Sequence, residues 1–248
     1  MELFETKYFR GQGKLFIGAR DAAGEPSGLT FVGDLSSATL TPNVGRSEII
    51  ENVTGASAVG ASALKSVKFS VAIAMRSIKP EHLAIALSAS NVAKAGSSVV
   101  DEAHTCYLDK FTRLEHNKIS AVTITGAGGT PTYVADTDYI VHADEGMIEF
   151  ISGGTITDAL PVLIDYTYAS QHHVKSDPGN LERYIVFAGM NTANNDKQTR
   201  CEMYKVKLDP GVFALITDDP TDATINGTLE LDTLRAAGDQ TFSWKLED

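Results

Sequence analysis

Val67-Lys68-Phe69-Ser70-Val71-Ala72-Ile73-Ala74-Met75-Arg76 decides the fold class. Val67, Phe69, Val71, Ile73 and Met75 recur at every second position, so an extended chain places them on one face. A helix would scatter them around its circumference, so the segment reads as a half-buried strand. Just beyond it, Pro80 suits a first helical turn and Glu81 suits the positive end of a helix dipole. Leu83 and Leu87 then form one packing stripe with Ala84. This helix is expected to end near Ser90, before an Ala/Gly/Ser connector at 91–98.

The same alternation recurs along the chain. Residues 14–20 and 29–32 read as strands about Gly/Pro turn chemistry at 21–28, and 36–41 lengthens the second arm. Downstream, strands are expected at 103–108, 121–125, 133–141, 147–151, 162–168, 183–188, 200–208, 212–217, 228–234 and 241–245. Strands with frequent turns and little helix predict a mainly β fold, a β-sandwich or partial barrel with one flanking helix. No shift in composition marks a boundary, so 1–248 reads as a single domain.

Residues 42–66 differ in character. Residues 48–53 could form a short strand, but 55–63 is almost entirely Gly, Ala, Ser and Val. Few large side chains anchor such a segment, and its backbone has many states to lose, so a long flexible loop is expected. Insertions of this kind in compact β domains are uncommon unless functional. A tolerated surface loop is the plainer alternative.

Composition excludes several classes. The chain has 248 residues, 43% hydrophobic and 21% charged, so it can bury a full core. Its formal net charge of −11 gives no global footprint for gripping DNA or an anionic membrane. No apolar run approaches the roughly 18 residues of a membrane span. Glu2 and Glu5 stand where a secretion signal needs basic residues, which predicts synthesis in a reducing cytoplasm. Cys106 and Cys201 are then expected as reduced core residues, and the Asn52 and Asn226 glycosylation patterns as chance matches.

Catalytic and metal grammar is sparse. His82, His104, His116, His142, His172 and His173 show no ligand spacing with a carboxylate, and the last two read as a solvated turn. Gly126-Ala127-Gly128-Gly129-Thr130 lacks the Lys-Ser/Thr step of a phosphate loop and precedes a strand, so it reads as a hairpin turn. Asp136 to Asp144 could take a hard cation, although solvated turn acids are the ordinary reading. No enzyme activity and no cofactor are expected.

The order of several motifs resembles the major tail tube protein of long-tailed, non-contractile bacteriophages. Gly13-Lys14-Leu15-Phe16-Ile17-Gly18-Ala19-Arg20 leads to Gly24-Glu25-Pro26-Ser27-Gly28-Leu29-Thr30-Phe31-Val32-Gly33-Asp34. Val67-Lys68-Phe69-Ser70-Val71 then enters Ile78-Lys79-Pro80-Glu81-His82-Leu83-Ala84-Ile85-Ala86-Leu87. Asp138-Tyr139-Ile140-Val141, Gly146-Met147-Ile148 and Ile164-Asp165-Tyr166-Thr167-Tyr168 follow. Ser88-Ala89-Ser90 departs from the aromatic-Gly ending of many members.

The resemblance implies a virion protein that forms stacked, hexameric rings with copies of itself. It implies a tape measure protein in the lumen, tail terminator and distal tail proteins at the ends, and transient, non-specific passage of DNA. Residues 42–66 become the loop that reaches the next ring, with Glu48, Ile49, Ile50, Glu51, Val53, Val59 and Leu64 as its contact residues. Residues 1–13 and 236–248 become arms that order on stacking. The alternatives are a related ring-forming tube, baseplate or tail-completion subunit, and a carbohydrate-binding β-sandwich. The last would want exposed aromatics, whereas the 8% present mostly alternate into expected cores.

Overall fold

The computed structural model describes residues 8–53, 57–177, 182–219 and 221–247. Its first elements are β1 (Gly11–Ala19), β2 (Thr30–Phe31), β3 (Leu35–Ile50), β4 (Val59–Met75) and the helix α1 (Pro80–Ala86). Then come β5 (Ala89–Lys94), β6 (Ser97–Thr105), β7 (Phe111–Arg113), β8 (Ile119–Gly126), β9 (Tyr139–His142), β10 (Met147–Phe150) and β11 (Pro161–Tyr168). The chain closes with β12 (Gln171–Ser176), β13 (Glu182–Asn191), β14 (Lys197–Asp209), β15 (Ala223–Leu229) and β16 (Phe242–Leu246).

Where the sequence predicts one domain, the chain forms two compact units: Met1–Asn91 with Val174–Asp248, and the inserted Val92–His173. Composition gives no sign of the insertion because both units are built from the same alternating strands. The chain crosses the two boundaries within β5 and β12, which pair as a two-stranded sheet.

The first unit holds an antiparallel sheet in the order β2-β1-β13-β14-β15-β4-β3. The long β14 pairs with β13 on one side; on the other, it gives its first half to β16 and its second half to β15. Alternate residues fill one face: Leu15, Ile17, Val71, Ile73, Met75, Ile185, Met203, Val206, Ile225 and Leu229 form a continuous core. Residues from β1 and β4, distant in strand order, share that core, so the sheet wraps around it. Pro42 sits inside β3 at no cost to the ladder, since β3 is the sheet's edge and needs no outward N–H there.

The second unit is a small sandwich. The sheets β6-β11-β8 and β7-β10-β9 enclose Ile119, Ile124, Ile148, Phe150, Val162, Ile164 and Tyr166, with Cys106 and Leu114. Gly126-Ala127-Gly128-Gly129-Thr130 is the expected hairpin turn: the Gly126 N–H donates to Pro131 O at 2.9 Å and the Gly129 N–H to Gly126 O at 2.8 Å.

Several sequence expectations need correction. The helix stops at Ala86 and buries His82, Ala84 and Ala86, while Leu83 is only half-buried and Leu87 is exposed at the C-cap. Small side chains let this short helix lie close to the sheet, and Ala86 O accepts the Gly211 N–H at 2.7 Å. The connector at 91–98 is the end of β5 and the start of β6, and His172 and His173 lie in β12 instead of a turn. Residues 212–217 form a loop, and the following strand begins earlier than expected, at Ala223.

The arms differ as well. Within the expected N-terminal arm, Gly11, Gln12 and Gly13 already pair with Asn191, Met190 and Gly189. Residues 1–7 lie outside the described residues. At the other end, β16 is a sheet strand, with Phe242 against Phe69 at a ring distance of 5.0 Å and the Trp244 indole N–H donating to Thr199 at 2.7 Å.

Candidate assembly surface

The interval 42–66 carries the largest correction and the main functional feature. Within it, the outer halves of β3 and β4 form a two-stranded ribbon. The ladder runs from Leu35↔Met75 through Pro42↔Phe69 to Ile50↔Val59, with register shifts at Leu35/Ser37, Gly45/Arg46 and Ile49/Ile50. The strong alternation at 67–75 starts the pairing, and the antiparallel hydrogen bonds carry weak strand formers along with it. Shifts at Gly45/Arg46 and Ile49/Ile50 absorb one extra β4 residue each. Residues 54–56, at the tip, lie outside the described residues.

The inner half of β4 is core, but the outer half has none to join. Val71, Ile73 and Met75 are buried and Phe69 leans on Phe242, whereas Val67, Leu64 and Val59 are exposed. Alternate positions of β3 share a face, so Val44, Arg46, Glu48 and Ile50 line up with their partners Val67, Leu64, Ser62 and Val59. This row extends the core face outward as a stripe in which Val44, Val67, Leu64, Ile50 and Val59 are apolar and Arg46, Glu48 and Ser62 interrupt them. The opposite row is polar or small at Asn43/Lys68, Gly45/Ser66 and Ser47/Ala63, and carries one large apolar side chain, the exposed Ile49 opposite Ala61. An isolated two-stranded hairpin is marginal in water, and this ribbon is exposed on both faces.

All the loop residues singled out in the sequence fall here. Ile49, Ile50, Val59 and Leu64 are exposed apolar positions, with Leu64 at 62% and Val53, near the tip, at 93%. Glu48 is exposed on the stripe. Glu51 ties the outer ends of the two strands: its N–H donates to Ala58 O at 2.8 Å, and its carboxylate accepts the Val53 N–H at 2.6 Å. Leu83 lies in the helix and Leu87 caps its end, and neither belongs to the ribbon. Sequence reading missed Val44 and Val67 as surface residues, because alternation shows which face they share but not where the core under that face ends.

Two further features lie in the first unit. A cavity of about 650 Å³ opens between Gly11–Leu15 of β1 and residues 34–40 at the start of β3, floored by Leu15, Val71, Phe187, Cys201 and Met203, with Trp244 at its side. The loop after Gly211 holds Leu215 and Ile216 almost fully in solvent, Ile216 at 95%.

The polar clusters are braces. In the second unit the Tyr166 hydroxyl donates to Glu102 and accepts from His116 Nδ1 at 3.0 Å, while the other Glu102 oxygen accepts the Glu115 N–H at 3.2 Å. Burial first, then the Glu102 carboxylate, push the Tyr166 hydroxyl up, so it stays a donor. Asp138 accepts the N–H groups of Val134 at 2.8 Å and Thr155 at 2.6 Å, and the Thr155 hydroxyl at 2.9 Å. These bonds hold its carboxyl below the usual range and use the oxygens that a cation would need. Burial pushes the Cys201 thiol up to about 11 and raises that of Cys106, which makes both poor nucleophiles. Both cysteines are free. Among the described residues, no group of three or more His, Cys, Asp or Glu could hold a metal ion, and no helix is long and apolar enough to cross a membrane.

Comparison with protein families gives one assignment. A model described as "Protein of unknown function UCP028589" matches residues 8–242. The chain belongs to that family. The match begins ahead of β1 and reaches β16, so the family's common pattern spans the sheet, the ribbon and the inserted unit alike. No curated protein matches the chain.

Proposed function

We propose that this protein is a structural subunit that stacks with copies of itself into rings and a tube, the tail tube of a long-tailed, non-contractile bacteriophage. The observation that carries this reading is the ribbon. Its apolar stripe continues the core face beyond the last residue that the chain itself can cover. The free outer edge of β3 adds a run of unpaired backbone, which is a template for another strand. A patch that binds a different patch on a second copy makes a heterologous contact, which closes into rings or propagates as a helical array.

Charge fits the same role. Every copy brings −11 to the assembly, so acidic residues facing a lumen would repel the DNA backbone and let it slide. In this reading the tape measure protein occupies that lumen before DNA does, and tail terminator and distal tail proteins cap the ends. The virion tail is the site of action, no cofactor takes part and no chemistry is catalysed. Sedimentation velocity at rising protein concentration tests the reading. Large, discrete assemblies are expected for the natural chain, and a single small species at every concentration would refute it.

A further inference from the structure

The cavity between β1 and β3 is a slot with the chemistry of a missing strand. Its two long walls are strand edges. On β1, pairing with β2 covers only Phe16 and Ile17, and the Leu15 carbonyl accepts the Val32 N–H, so Gly11 to Lys14 have no strand on that side. On β3, no strand among the described residues pairs with the edge opposite β4. Facing edges of this kind ask for an extended backbone with donors and acceptors on both sides. The floor is apolar, from Leu15, Val71, Phe187 and Met203, and among the described residues that line the slot Asp34 carries the charge.

We propose that the slot receives the β3–β4 ribbon of a second copy. This inference rests on the self-assembly reading and names the two surfaces that meet. The ribbon cannot fill the slot of its own chain, because β3 is that slot's wall. It offers what the slot lacks: an apolar face of Val44, Leu64 and Val67, and an unpaired outer edge along the distal part of β4, since β15 covers only Phe69 to Met75. Arg46 shares that apolar face and complements Asp34, while Glu48 lies further out toward the tip. The distal ribbon has paired residues from Asn43 to Ile50, a reach on the order of 25 Å at the rise of a strand. One chain therefore carries both halves of a heterologous joint.

The single tryptophan reports on the slot. Trp244 lines it and is 45% exposed in the free chain. Light scattering and Trp244 emission are followed together as the concentration rises. A blue shift that tracks the scattering is expected. Scattering that rises while Trp244 stays unshifted overturns the slot proposal and leaves self-assembly standing; scattering that never rises overturns both. The occupant is tested by mixing chains carrying Ala38→Cys with chains carrying Leu64→Cys and adding a short thiol cross-linker. Inter-chain 38–64 products are expected only under assembly conditions. A Trp244 shift without such products means that another segment fills the slot and contradicts the ribbon assignment.

Discussion

Asp138 shows how much one buried carboxylate can hold in place. It is 2% exposed and ties Val134 to Thr155 through three hydrogen bonds. Asp138→Ala leaves those donors without their anion and should cost about 2 kcal/mol, read as a lowered unfolding midpoint in urea. The pH dependence follows from the direction of its shift. A carboxyl whose folded pKa is depressed contributes its full stabilisation above the unfolded value, about 3.9, and loses it as pH falls through the folded value. Acid titration of the unfolding midpoint should therefore show a loss below about pH 4 that Asp138→Asn makes shallower. An unchanged titration would remove Asp138 from the acid response. Gly146, in the turn before β10, is a second such residue. Its φ is +67°, and a Cβ there would lie 2.0 Å from His116 O. Gly146→Ala should destabilise by about 3 kcal/mol in the same assay, and a neutral result would mean that the turn can rearrange.

At the scale of elements, one strand does two jobs. The inner half of β4 is core, so Ile73→Ala should cost about 3 kcal/mol of stability. The outer half pairs with β3 but has no core beneath it, and Val59, Leu64 and Val67 are exposed. Leu64→Asp with Val67→Asp should leave the melting temperature within a degree or two while abolishing self-association, both measured on one preparation. A large drop in melting temperature would instead make the stripe part of the monomer's own stability. The division also explains what the sequence made legible. Period-two alternation in 67–75, 162–168 and 200–208 identified strands because their cores lie directly beneath them. Residues 59–63 look like part of a flexible loop in the sequence because their strand character comes from pairing with β3 and not from their own side chains. The loop at 212–217 failed the other way. Its apolar residues look like a strand, but Phe213 alone leans on the core while Leu215 and Ile216 point to solvent. Helix α1 was located by Pro80 and Glu81, yet its buried face could not be read from a segment so short that Ala84 and Ala86 do the packing. The inserted unit stayed invisible since its strands are no different in kind.

For the whole molecule, shape and charge oppose one another. In the proposed assembly the ribbon, the slot and the β3 edge would favour association, whereas −11 per copy would resist it. Raising ionic strength from about 0.01 M to 0.15 M shortens the screening length from about 30 Å to 8 Å. The concentration at which scattering begins should therefore fall as salt is added, and an onset that rises with salt would mean that ion pairs, not apolar surface, hold the copies together. The most direct test is negative-stain electron microscopy of the purified natural chain beside Leu64→Asp. Stacked rings or tubes of uniform width for the natural chain, with single particles for the variant, are the predicted result. Single particles for both at every concentration, or equal tubes from both, would contradict it.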